Sequence, residues 1–176
     1  MRLRRALGWG TLVLVVAALG FALWARLLAG GPVGPIPGGA LTGEPAAELP
    51  ADWSFANQED YLDVESRAFR LPYSTSVWFM AHEGRLHLLL SSFFGDALER
   101  RLERDPRVRV RLAGGLYDQV AVRVDEGATR GAILAPFLRR QLAIEISGAV
   151  RNIARPEGDV PVGMTVYRLE DPSAQP

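Results

Sequence analysis

Three textures of hydrophobic and polar positions follow one another along this 176-residue chain. From Ala6 to Ala25, twenty consecutive positions carry no charge. As a helix, such a run spans about 30 Å, the hydrocarbon thickness of a bilayer. Arg2, Arg4 and Arg5 precede it, Arg26 follows, and the first acid of the chain is Glu44. That asymmetry favours a cytoplasmic N-terminus, with all later residues on the periplasmic or extracytoplasmic side. Trp9 and Trp24 stand near the two ends, where indole rings favour the headgroup level. A cleavable signal peptide has a shorter apolar core of about 7–15 residues. The best cut, after Leu27-Leu28-Ala29, also lacks a small residue three positions before it. Residues 1–29 therefore read as an uncleaved transmembrane signal anchor.

The second texture, residues 30–50, has five Pro and six Gly and little periodicity, and reads as a linker. The third covers residues 51–171 and alternates. Leu62, Val64 and Ser66 share one face of a strand, with Tyr61, Asp63, Glu65 and Arg67 on the other. Ser74 to Leu90 predicts a hairpin turning at Glu83-Gly84. Phe94, Leu98 and Leu102 then repeat at helical spacing until Asp105-Pro106 stops the helix. Val108, Val110 and Leu112 alternate with Arg107, Arg109 and Arg111 toward a turn at Gly114-Gly115, which sets Arg111 opposite Asp118. Residues 126–142 predict a helix broken or kinked at Pro136, 144–154 a short second one, and 162–169 a last strand. Residues 172–176 form a tail. The expected fold is mainly β with added helices (α+β): a six-stranded antiparallel split barrel with one inserted helix and a C-terminal helical segment.

Composition narrows the function. There is no Cys, which removes disulfides, thiolate metal sites and a Cys nucleophile. Every basic side chain is Arg, so a lysine Schiff base is excluded as well. The net charge is zero, but four of the Arg lie before residue 27 with no acid beside them. What remains is 16 Arg against 20 acids, about −4. An acidic exported part is a poor nucleic-acid binder.

Candidate chemistry is sparse. His82 and His87 flank the first hairpin turn and could share a face, yet further metal or haem ligands are not marked, and two surface histidines are the simpler reading. Ser91 and Ser92, between strand and helix, are placed to cap the helix or to hold an anion; Arg100 and Arg101 would extend such a site. Capping and a solvated basic face are the commoner uses of these residues. No nucleophile elbow, Gly-rich phosphate loop or paired carboxylates appear, and no metal site is expected.

The order Val77-Trp78-Phe79, hairpin, Leu90-Ser91-Ser92, helix, Arg100-Arg101-Leu102-Glu103-Arg104-Asp105-Pro106-Arg107-Val108 resembles the flavin-binding split-barrel superfamily. That group includes pyridoxamine 5′-phosphate oxidase-like proteins and deazaflavin-dependent nitroreductases. The resemblance covers residues 60–125, and the Leu116-Tyr117 and Val122-Arg123-Val124 strand fits it too. It implies a homodimer with a small-molecule cofactor, FMN or a deazaflavin, in the dimer cleft. Ser91, Ser92, Arg100 and Arg101 would hold the cofactor phosphate. One departure is that Asp96, Ala97 and Leu98 stand where a basic residue is usual. Two functions follow: a membrane-anchored flavin- or deazaflavin-dependent oxidoreductase, or a non-catalytic binding or assembly module on the same barrel.

Overall fold

The computed structural model describes residues 2–67, 71–91, 95–142 and 163–174. Helix α1 runs over Arg2–Leu27. A two-residue strand, β1 (Glu44–Pro45), follows, and then a 3₁₀ turn at Ser54–Gln58. The remaining elements are β2 (Tyr61–Ser66), β3 (Tyr73–His82), β4 (Arg85–Ser91), α2 (Asp96–Leu102), β5 (Arg107–Leu112), β6 (Gly115–Arg123), α3 (Gly127–Leu142) and β7 (Met164–Glu170). The six longer strands close into an antiparallel barrel in the order β6-β5-β2-β3-β4-β7, with β7 pairing back onto β6. Closure leaves these strands without a free edge. Strand β1 adds to β6 in parallel.

Alternation along the strands decides what lies inside. Leu62 and Val64, Val77 and Phe79, Leu86, Leu88 and Leu90, Val108 and Val110, and Leu169 form one core cluster. Both barrel ends are plugged. At one, Trp53 and Ala56 of the 3₁₀ turn enter the core, and the Asn57 amide brackets β3, donating to the Ala81 carbonyl (3.0 Å) and accepting its N–H (2.8 Å). At the other, α2 inserts Leu98 and Leu102. Its Glu99 meets Arg123 of β6 at 3.6 Å.

The outer surface of the barrel has two faces of opposite character. On β3, β4 and β7, Met80, Leu89 and Val166 join Val124 and are covered by Ile133, Leu134 and Phe137 of α3 in a second apolar cluster. The stripe Arg130, Ile133, Leu134, Phe137 keeps helical spacing through Pro136. Thus α3 continues past Pro136 instead of ending there, although that residue donates no backbone bond. The expected helix at 144–154 lies outside the described residues.

On β2 and β5 the outer face is charged. Asp63 pairs with Arg111, Arg109 with Asp118, and Glu65 with Arg67. This corrects the expected facing of Arg111 and Asp118. The turn is Ala113-Gly114, both at positive φ (49° and 83°), which gives the primed geometry that suits a two-residue hairpin. Leu112 then pairs with Gly115, and Asp118 falls opposite Arg109. This register also sets Tyr117 edge-on against Trp53, centroids 4.9 Å apart. It releases Arg111 to reach across to β2.

The Pro/Gly-rich segment does not hang free as a linker. It crosses the charged face as a strap. Gly38 bridges Ser74 of β3, the Leu41 N–H donates to the buried Glu65 carboxylate (2.7 Å), and Arg111 donates to the carbonyls of Gly30 (2.7 Å) and Thr42 (3.1 Å). Thr42 N–H returns to the Gly30 carbonyl (3.0 Å), so residues 30–42 form a closed loop pinned by one guanidinium. Leu41 is buried beneath it.

The apolar side chains of α1 behave differently. Leu12, Val13, Leu14, Val16, Leu19 and Leu23 are all more than half exposed. Among the described residues, no helix is long and apolar enough to cross a membrane. The side chains of residues 2–10 lie outside that description.

Candidate functional site

The residues singled out by the sequence sit at the end of the barrel closed by α2. Strand β4 ends at Ser91, whose carbonyl accepts the Gly95 N–H (2.7 Å). The N-cap of α2 is Gly95, with no side-chain cap bond. Ser91 thus stands at the end of β4, with its carbonyl at the start of α2, and Ser92 lies outside the described residues. Only seven residues long, α2 carries Asp96 and Glu99 in its first turn. Two carboxylates already meet the positive end of its dipole, and they disfavour a second anion there.

Arg100 and Arg101 are successive on α2 and so point about 100° apart. Arg100 stays exposed, whereas Arg101 is half-buried. The guanidinium of Arg101 lies over the Tyr73 ring, 4.5 Å from its centroid. From the other direction comes Arg26, in the last turn of α1, whose guanidinium stands 5.8 Å from the same centroid. Its Nη1 donates to the Gly38 carbonyl of the strap. Burial lowers the pKa of Arg101, and the neighbouring charge of Arg26 lowers it further. Arginine nonetheless stays protonated at neutral pH. The structure thus joins Arg101 to two residues that the sequence did not mark as site residues, Arg26 and Tyr73. They are far apart in the chain and meet only because the strap folds back on β3.

The backbone at this junction has no spare volume. A Cβ on Gly38 would collide with the Gly31 carbonyl, and one on Gly39 with the carbonyl of Arg26. Glycine is required there because two backbone segments and a helix end approach closely.

The two histidines meet as the hairpin register suggested, with ring centroids 6.2 Å apart and edge-on. They are not two surface residues. His87 is 4% exposed, on the same side of β4 as Leu89. Burial first, and the charge of His82 second, push its pKa down to about 4. It is neutral at pH 7. Its Nδ1, like Trp78 Nε1 on the neighbouring strand, is buried without a hydrogen-bond partner. Among the described residues, no group of three or more His, Cys, Asp or Glu is arranged to hold a metal ion.

A flavin phosphate does not fit the described residues of this corner. It would meet Asp96 and Glu99 at the helix start. The single half-buried cation of α2, Arg101, is turned to Tyr73 and Arg26. The surface depression lined by Pro45, Glu48, Arg109, Tyr117 and Asp118 is an open one on the β1–β6 side, and none of the predicted site residues lines it.

No protein-family model matches the chain, and no curated protein matches it. Among solved structures, it is similar to a provisionally assigned pyridoxamine 5′-phosphate oxidase from Listeria innocua. The two are 14% identical, the match covers 65% of this chain and 85% of that one, and the TM-score is 0.45. At that level the likeness carries no statement about chemistry.

Proposed function

We propose that this chain is a membrane-tethered split-barrel binding module, held by α1 and displaying its barrel on the extracytoplasmic side. The observation that carries this reading is the junction at Tyr73. The half-buried cation of α2 is joined there to the last turn of α1 and to the strap, so the distinctive polar site of the barrel belongs to its attachment. The tether is supported by the charge-free run from Ala6 to Ala25, the helix that contains it, and the exposure of its apolar side chains. The flanking Arg set its orientation.

A second reading keeps the barrel as a flavin- or deazaflavin-dependent oxidoreductase acting as a homodimer. Its support is the chain order of strand, Ser91, helix and Asp105-Pro106-Arg107-Val108, which the barrel reproduces as β4, α2 and β5. When bound, such a cofactor would supply the redox step and the protein would orient it.

One measurement tests the tether and a second decides between the two readings. Full-length protein should remain in the membrane pellet after alkaline carbonate extraction, and phosphatase fused after residue 176 should be active outside the cytoplasm. Release into the supernatant would sink the tether. The purified chain should be colourless and show no tryptophan quenching with FMN or a deazaflavin. A stoichiometric yellow chromophore would instead establish the oxidoreductase reading.

A further inference from the structure

The ladder of β6 has an unfilled position, and we propose that an extended, basic segment of a partner protein adds there as a short strand. On one side, β6 pairs with β5 without a break from Gly115 to Val120. On the other side it has two partners that do not meet. Strand β1 covers Gly115 and Leu116, and β7 begins only at Val120, opposite Glu170. Tyr117, Asp118 and Gln119 lie between them. Alternate residues of a strand turn their backbone polar groups to the same side. The Leu116 carbonyl accepts from Ala46 N–H (2.9 Å), and Val124 N–H donates to the Val166 carbonyl (2.9 Å), both on the β1–β7 side. Asp118 is in the same phase. Its N–H and C=O therefore face the gap, where neither strand stands beside them.

Proline keeps the chain from closing this gap itself. Extending the β6–β7 register by two residues sets Pro172 opposite Asp118, with no N–H to give its carbonyl, and the chain turns there into a 3₁₀ turn, Pro172–Ala174. Pro45 ends β1 on the other side. From Leu116 to Val120 the opening is about 13 Å long, room for about three residues of extended chain. It coincides with the surface depression of about 450 Å³, which is lined from β6 by Leu116 to Asp118 and from the flanks by Pro45 to Leu49, Asp171 and Pro172. An open strand edge is a template for another chain. Charge selects that chain. Glu48, Asp118 and Asp171 line the opening with Arg109 as its single cation. Arg109 is engaged by Asp118 through both prongs, which leaves Glu48 and Asp171, both exposed. Asp171 accepts from the neutral N–H and O–H of Ser173 (both 2.7 Å), which lower its pKa and keep it ionised. A second copy of this chain would bring the same carboxylates. A segment with Arg or Lys on either side of the residue facing Asp118 would pair with them.

None of the residues at the Tyr73 junction lines this opening, so it exists with or without a membrane at α1. Full-length ¹⁵N-labelled protein in mild detergent is titrated with three blocked tripeptides, and binding is followed by amide resonances. The peptides are acetyl-Arg-Val-Arg-amide, the same peptide methylated on the valine nitrogen, and acetyl-Glu-Val-Glu-amide. The arginine peptide should shift the Asp118 amide downfield and saturably, because its valine exchanges both backbone bonds with Asp118. Methylation removes one of those donors and should weaken binding about tenfold. The glutamate peptide should not bind. Glu48→Gln and Asp171→Asn should each weaken the arginine peptide about threefold, and less in high salt. Asp125→Asn, at an exposed acid outside the opening, should leave binding unchanged. An Asp118 amide that stays fixed with the arginine peptide overturns the proposal, as does equal binding of the methylated peptide. Equal binding of the glutamate peptide overturns the basic partner. The peptide series needs no variant, so the test stands even where a substitution impairs folding.

Discussion

The two outer faces of the barrel are covered by opposite means. The β3–β4–β7 face is apolar, and α3 lies on it with Ile133, Leu134 and Phe137. The β2–β5 face is a lattice of carboxylates and guanidiniums, crossed by a strap whose backbone supplies the complementary donors and acceptors. Apolar burial is nondirectional and scales with area, so it stabilises without fixing where the cover ends. Hydrogen bonds to charged groups add less net free energy but specify partners atom by atom. The helix contributes stability, and the strap contributes position. Position matters at the end of α1, because the strap determines where Arg26 meets Tyr73.

The largest effect should therefore come from the apolar face. Phe137 is 2% exposed and its ring lies 5.7 Å from that of Trp78. Phe137→Ala removes most of that packing and should cost about 3–5 kcal/mol in chemical denaturation. A loss under about 1 kcal/mol would mean that α3 is not an integral cover of the barrel.

The same face contains one polar side chain in the wrong company. His87 has a folded pKa near 4 against an unfolded value near 6.5. A depressed pKa means that the unfolded chain binds the proton more readily. The stabilising contribution is complete above pH 6.5, declines below it, and is gone once the pH falls through 4. Allowing for partial screening, the loss between pH 7 and 4 should be about 1–3 kcal/mol. His87→Gln should flatten that part of the stability profile. An unchanged profile would show that His87 is not buried neutral.

On the charged face, Arg111→Ala breaks the pair with Asp63 and frees the Gly30 and Thr42 carbonyls. The expected cost is about 1–3 kcal/mol, and it should be local. Hydrogen exchange at Thr42, whose N–H is bonded to Gly30, should rise while exchange in the β3–β4 ladder stays fixed. If both rise together, the strap is part of the barrel's cooperative unit.

Much of this was legible in the chain. Alternation named the inward faces of β2 and β5, because a period of two survives whatever covers the far side. The outward side chains were harder to read. Glu65 is patterned as a solvated residue but is buried, since the strap that covers it comes from a segment with no periodicity of its own. His87 was misplaced for the same reason: Leu89 beside it faces α3, a helix forty residues further on. Ser91 and Arg100 had plausible local roles, yet the site at Tyr73 required long-range contacts that spacing does not encode. The hairpin register was a closer matter, because Ala113-Gly114 and Gly114-Gly115 turns keep the same faces inward. Side-chain partners, Tyr117 with Trp53 and Asp118 with Arg109, distinguish them.

That register supplies the smallest and most pointed test. Arg109 and Asp118 form a two-pronged pair at 2.8 and 2.9 Å across β5 and β6, and Asp118 is well exposed. An exposed pair contributes about 0.2–1 kcal/mol even with good geometry, and salt screens it. A double-mutant cycle with Arg109→Ala and Asp118→Ala should therefore give a small coupling that shrinks in 1 M NaCl. Arg111→Ala paired with Asp118→Ala should give none, since Arg111 is held by Asp63 on the other side. Coupling between residues 111 and 118 in place of 109 and 118 would mean that the turn had moved by one residue. Arg111 would then leave Asp63, and with it the strap would lose the pin that sets Arg26 above Tyr73.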